Sequence, residues 1–510
     1  AGWMLDPKLE KIINDFRQCV KKMNMYNEAI GLMHWDMRTK APRKSMSYRS
    51  EVVGMLSAEV FRMLVSDQMG EWLKHLNEPE TLKQLDEITR KMVIEYSREY
   101  ERNRKIPADQ YEKYVVLASE AEAVWETHKA DGQFDKVRPY LQQLIEFNRQ
   151  FIEYWGYEEH PYEALLEPYE PGLKVAQLDR VFAELKEQLV SLVAKISAAD
   201  EKPNTDFLRQ PFASDKQRAF SHYILEQMGY DFSAGRLDES VHPFATGLNP
   251  GDVRITTAFR EDDFTFSLFS SIHEGGHALY EQNMDETLNG TGLRDGASMG
   301  IHESQSRLWE NVIGRSYPFW QRYFADLQRF FPGQFDDVGL DDFYRAINVV
   351  SPSLIRIEAD ELTYNLHIMI RYELEKALFE DQLQVDDLPS AWNEKYEAYL
   401  GVTPAHDGEG VMQDVHWYGG AFGYFPSYSL GNLYAAQFMS AMKKQLNVDQ
   451  LLADGQLAPI KQWLVDHVLQ YGKLRTPDEL VRDVSGEELN PNHLIQYFRE
   501  KFGAVYRIDV

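Results

Sequence analysis

The chain has 510 residues, 44% of them hydrophobic and 13% aromatic, enough to bury a large core. A formal net charge of −27 argues against nucleic acid and anionic membrane as partners. The single cysteine, Cys19, excludes an intrachain disulfide and a cysteine-built metal cluster; with an N-terminus, Ala1-Gly-Trp-Met-Leu-Asp-Pro, that lacks a signal-peptide pattern, it sets the expectation of a reducing, cytoplasmic setting.

The first 230 residues read as almost wholly helical. Leu9, Ile12, Phe16, Cys19, Val20 and Met23 recur at three- and four-residue steps and form one apolar stripe. Similar stripes run through 48–65, 80–100, 108–130, 137–155 and 175–197, opposite faces rich in Glu and Lys. The texture changes near residue 233. Leu237 to Pro250 reads as loop, and Val253 to Phe259 alternates apolar with polar like a strand. A strand there could take up a substrate backbone by strand addition, or be an ordinary member of a small sheet.

His273-Glu274-Gly275-Gly276-His277 follows, a match to the HExxH pattern of helical zinc hydrolases. Histidines four apart lie on one helix face and can share a metal ion. Glu274, between them, is placed as a general base. Asp262 or Asp263 is the expected N-cap. Two glycines inside a helix cost about 1 kcal/mol each against alanine, so they predict close approach of another backbone or of substrate.

A hydrolytic metal site needs a third protein ligand. The class that takes it from a third histidine would have His at 283 and Gly at 280; those positions hold Asn283 and Tyr280. The remaining common solution is a glutamate on a following helix. Glu303, 26 residues past His277, is the candidate, with Glu310 seven residues further on as the alternative. The Asn289-Gly290 and Asp295-Gly296 pairs supply turns for an antiparallel return.

Beyond this, Ser353 to Phe379 is expected as a helix behind Pro352. Val415 to Met442 carries no Asp, Glu, Lys or Arg. Its polar residues, Pro426 and its glycines mark it as the wall of a buried cleft and then a core helix, not a membrane span. Helices continue from Pro426 to about residue 502.

Six blocks of this sequence resemble the carboxypeptidase Taq family of HExxH metallocarboxypeptidases. They are His34-Trp35-Asp36, Asp252-x-Arg254-x-Thr256, His273-Glu-Gly-Gly-His277, His302-Glu303-Ser304-Gln305, Ile355-Arg356-Ile-Glu-Ala359-Asp360 and Gly410-Val-Met-Gln413-Asp414-Val-His416-Trp417. The resemblance implies His273, His277 and Glu303 as metal ligands and Glu274 as base. It implies His416 with Tyr424 or Tyr428 at the oxyanion, and Arg254 and Arg356 as candidates to grip the substrate carboxylate. Arg294 and Arg307 stay open for that last role. Arg356 and Asp360, one helical turn apart, would form a salt bridge or an oriented pair, and Asp414, Asp360 or Glu358 would support a metal-bound histidine.

The implied fold is mainly α: a neurolysin- and angiotensin-converting-enzyme-like helical body with a deep central groove and a small β-sheet near the active site, usually a homodimer. On that basis residues 1–510 form one peptidase domain. Residues 1–232 make one groove wall, 233–440 the metal and substrate site, and 441–510 the C-terminal helices. The expected activity is release of C-terminal amino acids from peptides with a free carboxylate. One divalent metal per chain is expected, Zn2+ with Co2+ as the alternative. The competing expectations are an oligoendopeptidase of the same zinc-glutamate class, and a non-catalytic peptide-binding protein with a structural metal.

Overall fold

A 33-residue helix, Pro7–Thr39, opens the chain; Asp6 caps it by accepting the Lys8 N–H. The computed structural model describes residues 5–510; the N-terminal tetrapeptide, part of the stretch without a leader pattern, lies outside the described residues. Helices at Met46–Leu64, Ala108–His128, Phe134–Trp155 and Val175–Ser197 match the predicted stripes. The stripe at 80–100 is broken instead into Pro79–Leu82 and Glu87–Arg104, because the Asp86 carboxylate accepts the Thr89 N–H at 2.7 Å and starts a new helix.

Buried apolar side chains form two clusters. The larger extends from Leu117 to Tyr506 and surrounds the HEGGH helix, Phe264–Gln282. The smaller joins the N-terminal helices through Phe16, Val20, Leu73 and Met92, and takes in Leu288 and Leu293. Those two leucines follow the HEGGH helix, so the connection to the next helix is anchored in the N-terminal bundle. No helix among the described residues is long and apolar enough to cross a membrane. The uncharged stretch supplies most of the helix Pro426–Gln445, of whose 20 residues 15 are buried.

Residues 235–257 depart from expectation. Two strands, β1 (Gly235–Glu239) and β2 (Ala245–Asn249), form where a loop was expected, and the expected strand is β3 (Asp252–Thr257). β3 is the centre of the sheet, parallel to β1 and antiparallel to β2. Both of its edges are therefore used, and it cannot receive a substrate strand; β2 is the edge beside the site. Trp35 of the first helix is buried under this sheet, with the Arg236 and Arg254 guanidiniums 5.1 and 4.6 Å from its ring.

The helix expected from Ser353 begins only at Tyr364. The Asp360 carboxylate is the reason. It accepts the N–H groups of Ser351, Leu362 and Thr363 and the Thr363 hydroxyl, which holds residues 351–363 in turns.

Asp263 caps the HEGGH helix by accepting the Thr265 N–H. Its two glycines have different neighbours. A Cβ on Gly275 would stand 2.6 Å from Cδ2 of Leu225, a movable side-chain end. One on Gly276 would meet backbone: the Gln305 carbonyl, and Cα of Ser306 at 2.7 Å. Gly276→Ala should therefore destabilise the fold by about 1–3 kcal/mol, an overpacking cost with no side chain free to yield. Gly54→Ala, in a helix where a Cβ meets nothing within 4 Å, should stabilise by up to about 1 kcal/mol. Urea unfolding of both variants checks the contrast.

Candidate metal centre

The contact at Gly276 sets the site. It holds the helix Met299–Arg307 against the HEGGH helix, and Ser298 caps that second helix by accepting the Ile301 N–H. Oε1 of Glu303 comes to 3.1 Å from Nε2 of His273 and 3.7 Å from Nε2 of His277. Three donor atoms of the types a divalent ion prefers thus converge on one point. His273, Glu274 and His277 also group by distance as a possible metal cluster. Glu303 is pressed in from behind by Gly431 of the buried helix, where a Cβ would stand 2.7 Å from its Cγ.

Charge supports the same fit. Burial disfavours an imidazolium at His273, yet the carboxylates of Glu303 and Glu310 outweigh it and lift the His273 pKa to about 10. That surplus negative potential is what a bound cation would neutralise. Burial pushes the Glu274 carboxyl up to about 7, partly opposed by His273. A carboxylate at that value is matched to proton transfer near neutral pH. Glu303 is held well below the usual carboxylate range despite its burial, by His273 and Arg307.

Glu310 lies behind the site. Residues Leu308–Ile313 wind as a π-helix, a form common at functional sites. Oε1 of Glu310 lies 2.6 Å from Nδ1 of His273, the nitrogen facing away from Glu303, and 3.2 Å from the Arg307 guanidinium. It is placed to support His273 from behind, as an outer carboxylate would a metal-bound histidine. None of Asp414, Asp360 and Glu358 does so: Asp360 caps its own turn, and Asp414 serves two arginines.

The four arginines considered from sequence are all occupied. Arg254 is held in bidentate fashion by Asp252 at 2.8 and 3.0 Å. Arg356 is buried and pairs with Asp414, not Asp360, at 3.0 and 3.1 Å, while also donating to the Tyr364 hydroxyl. The same Asp414 accepts from Arg371 at 2.7 Å, and Gln413 accepts both the Arg356 N–H and the Arg371 guanidinium. Arg294 reaches Glu281, and Arg307 packs over the Tyr364 ring. Arg38, which no sequence block singled out, has no carboxylate partner among the described residues; its guanidinium covers the Phe244 ring at 3.6 Å and feels the charge of Glu274.

A cavity of about 670 Å³ opens over the centre, lined by His273, Glu274, His277, Glu303, Tyr424 and Tyr428. Phe244 and Ala245, at the start of β2, line its wall. Tyr424 and Tyr428 stand with ring centroids 5.3 Å apart, and Tyr169 packs edge-on against Tyr424 at 5.1 Å. Burial raises the pKa of both hydroxyls, so they keep their protons as hydrogen-bond donors. His416 is one layer back, its Nε2 3.3 Å from the Tyr428 hydroxyl. Burial lowers its pKa to about 4 and keeps it neutral.

Comparison with known proteins settles the family. Residues 15–502 match the model of the carboxypeptidase Taq (M32) metallopeptidases. The chain belongs to this family. It is a metallocarboxypeptidase, a hydrolase. It is 52% identical over 493 residues to carboxypeptidase 1 of Bacillus subtilis, covering 96% of this chain and 98% of that protein. It is 40% identical to thermostable carboxypeptidase 1 of Thermus thermophilus, covering 93% and 95%. The crystal structure of an M32 carboxypeptidase from Deinococcus radiodurans R1 superposes with a TM-score of 0.94 at 35% identity, covering 98% of this chain and all 100% of the other. The mainly helical fold with its small sheet is that of the family.

Two features of this metallocarboxypeptidase escaped sequence reasoning. The Arg371–Asp414–Arg356 clasp had no local signal, because Arg371 lies in an otherwise ordinary helix. Glu281, which reaches His302 at 2.8 Å, had one: it stands four residues after His277 on the same helix face. Asp414→Asn would leave two buried guanidiniums without a counter-charge. It should cost about 3–5 kcal/mol, read as a lower urea midpoint. A midpoint within experimental error of the parent protein would mean that the clasp contributes nothing.

Proposed function

We propose that this centre removes the C-terminal residue of peptides, with His273, His277 and Glu303 holding one divalent cation and Glu274 acting as general base. The observation that carries the proposal is the convergence of Glu303 Oε1 on the two Nε2 atoms inside the cavity. A cation held there would supply Lewis acidity, polarising the scissile carbonyl and acidifying a water. Zn2+ suits the donor set, and Co2+ would also be accepted.

The chain's own residues then do the following. Glu274 takes the proton of the attacking water and delivers it to the departing amine. Tyr424 and Tyr428 offer hydroxyl protons to the charge that builds on the carbonyl oxygen, and neutral His416 steadies Tyr428. Removing one such donor typically costs 10²–10³ in rate. The start of β2 gives the peptide a wall to lie along. The terminal carboxylate requires a guanidinium. Arg254 and Arg356 would serve by sharing their present carboxylate partners, whereas Arg38 has no such partner among the described residues. The homodimer that the resemblance implies, the cytoplasmic setting expected from the single cysteine, and the three-part division of one domain belong to the same reading.

Glu274→Gln should bind its metal in full and lose at least about 10²-fold in kcat/KM; near-parental turnover would sink the mechanism. Amidation of the substrate C-terminus should remove most of the activity of the parent enzyme. Equal cleavage of the free acid and the amide, with internal cuts seen by mass analysis, would instead identify an endopeptidase.

A further inference from the structure

The two histidines of the HEGGH helix are supported differently. His273 has a carboxylate directly behind it. His277 has another imidazole: its Nδ1 lies 2.7 Å from Nδ1 of His302. Nε2 of His302 in turn lies 2.8 Å from Oε1 of Glu281. Two ring nitrogens at that separation share one proton. If Nε2 of His277 gives its lone pair to a cation, the ring's only proton sits on Nδ1. Nδ1 of His277 must then donate to Nδ1 of His302. His302 accepts there, so its own proton sits on Nε2 and is donated to Glu281.

We infer that His302 and Glu281 are positioning residues for the metal: a neutral imidazole carries the orienting pull of a carboxylate across one ring to the ligand His277. The inference rests on the assignment of His277 as a ligand. Both ends of the chain are fixed. The His302 ring packs against Tyr280, with centroids 4.8 Å apart. Arg294 stands 3.7 Å from Oε2 of Glu281 and also donates to the Glu281 carbonyl. The edge strand closes over the carboxylate, since a Cβ on Gly247 would meet it at 2.5 Å.

The same geometry answers a second possibility. Glu281, Asp295 and His302 lie close enough together to suggest another cation site. With its proton on Nε2, His302 has no lone pair facing Glu281, and Arg294 already supplies positive charge there. The cluster is a support for one metal, not a site for a second.

The test uses the full-length protein, with Zn2+ affinity from chelator competition and stoichiometry from elemental analysis. His302→Phe keeps the ring shape and removes both nitrogens. It should weaken Zn2+ binding 10- to 100-fold, the usual range for such outer partners. His302→Asn places an amide oxygen near the position of Nδ1 and should recover most of that loss. Glu281→Gln keeps an acceptor without the charge and should fall between the parent protein and His302→Phe. His277→Ala is the control for the ligand assignment and should lose the metal altogether. Parental affinity in His302→Phe, with the metal lost in His277→Ala, overturns the relay. So does an Asn variant no better than Phe, a comparison that holds even where His302→Phe folds poorly. Two Zn2+ per chain in the parent protein, falling to one in Glu281→Gln, would make the cluster a second site. Metal retained by His277→Ala would instead overturn the ligand assignment.

Discussion

One close contact governs this protein: the HEGGH helix meets the backbone of the Glu303 helix at Gly276. That contact sets how closely the helix of His273 and His277 approaches the helix of Glu303. Here the approach is made by a residue without a side chain against Gln305 and Ser306. Glu303 and Gln305 lie on the same short helix, so the contact and the ligand are two residues apart and cannot be adjusted independently. Gly431 does the same from the opposite side of Glu303. The glutamate is therefore held between two bare stretches of helix, and its reach to His273 and His277 follows from packing more than from any choice of rotamer.

The second constraint is electrostatic. A buried charge without a partner costs several kcal/mol, and this site concentrates many. The structure meets the demand by alternation. Glu303 touches His273 and Arg307; Glu310 touches His273 and Arg307 again; Glu281 touches His302 and Arg294. Further out, Asp414 lies between Arg356 and Arg371, and Arg356 lies 5.0 Å over the ring of Tyr428. The clasp thus fixes the aromatic wall that carries Tyr428, although no member of it has to touch substrate. A motif arginine can be essential to an enzyme in this indirect way, through the position it imposes on a neighbour.

What the sequence made legible follows from which physics is local. HEGGH is legible because four-residue spacing alone puts two histidines on one face. The nearness of Glu303 to both histidines could be anticipated because a turn-rich connection of suitable length precedes it. The two glycines announced a close contact, though not its partner. The misses are non-local or depend on winding. Asp360 looks like a helical neighbour of Arg356 until its carboxylate is seen to gather three backbone N–H groups and delay the start of the helix to Tyr364. β1 and β2 were hidden because short strands rich in Gly, Asn and charge carry little alternation, and their pairing with β3 supplies the order. Glu310 was assigned to the ligand face by counting 3.6 residues per turn, a count that a π-helical stretch does not obey.

A negatively charged protein that must capture a negatively charged substrate end poses a last question of scale. The net charge of −27 repels a carboxylate only over distances that salt leaves unscreened, about 8 Å at physiological ionic strength. Inside the cavity the nearest charges decide. Most of the arginines around it are committed: Arg98 to Glu95 and Glu167, Arg294 to Glu281, Arg307 to Glu303 and Glu310. A committed guanidinium offers an arriving carboxylate little, because the gain is offset by the partner it must share. Arg38 differs. Stacked on Phe244 at the wall beside the start of β2, it has no acidic partner within bonding distance among the described residues, and the charge it feels is that of Glu274. The first helix, fixed to the sheet by Trp35 between Arg236 and Arg254, thereby brings a guanidinium without a carboxylate partner against Phe244, which lines the cavity over His273, His277 and Glu303.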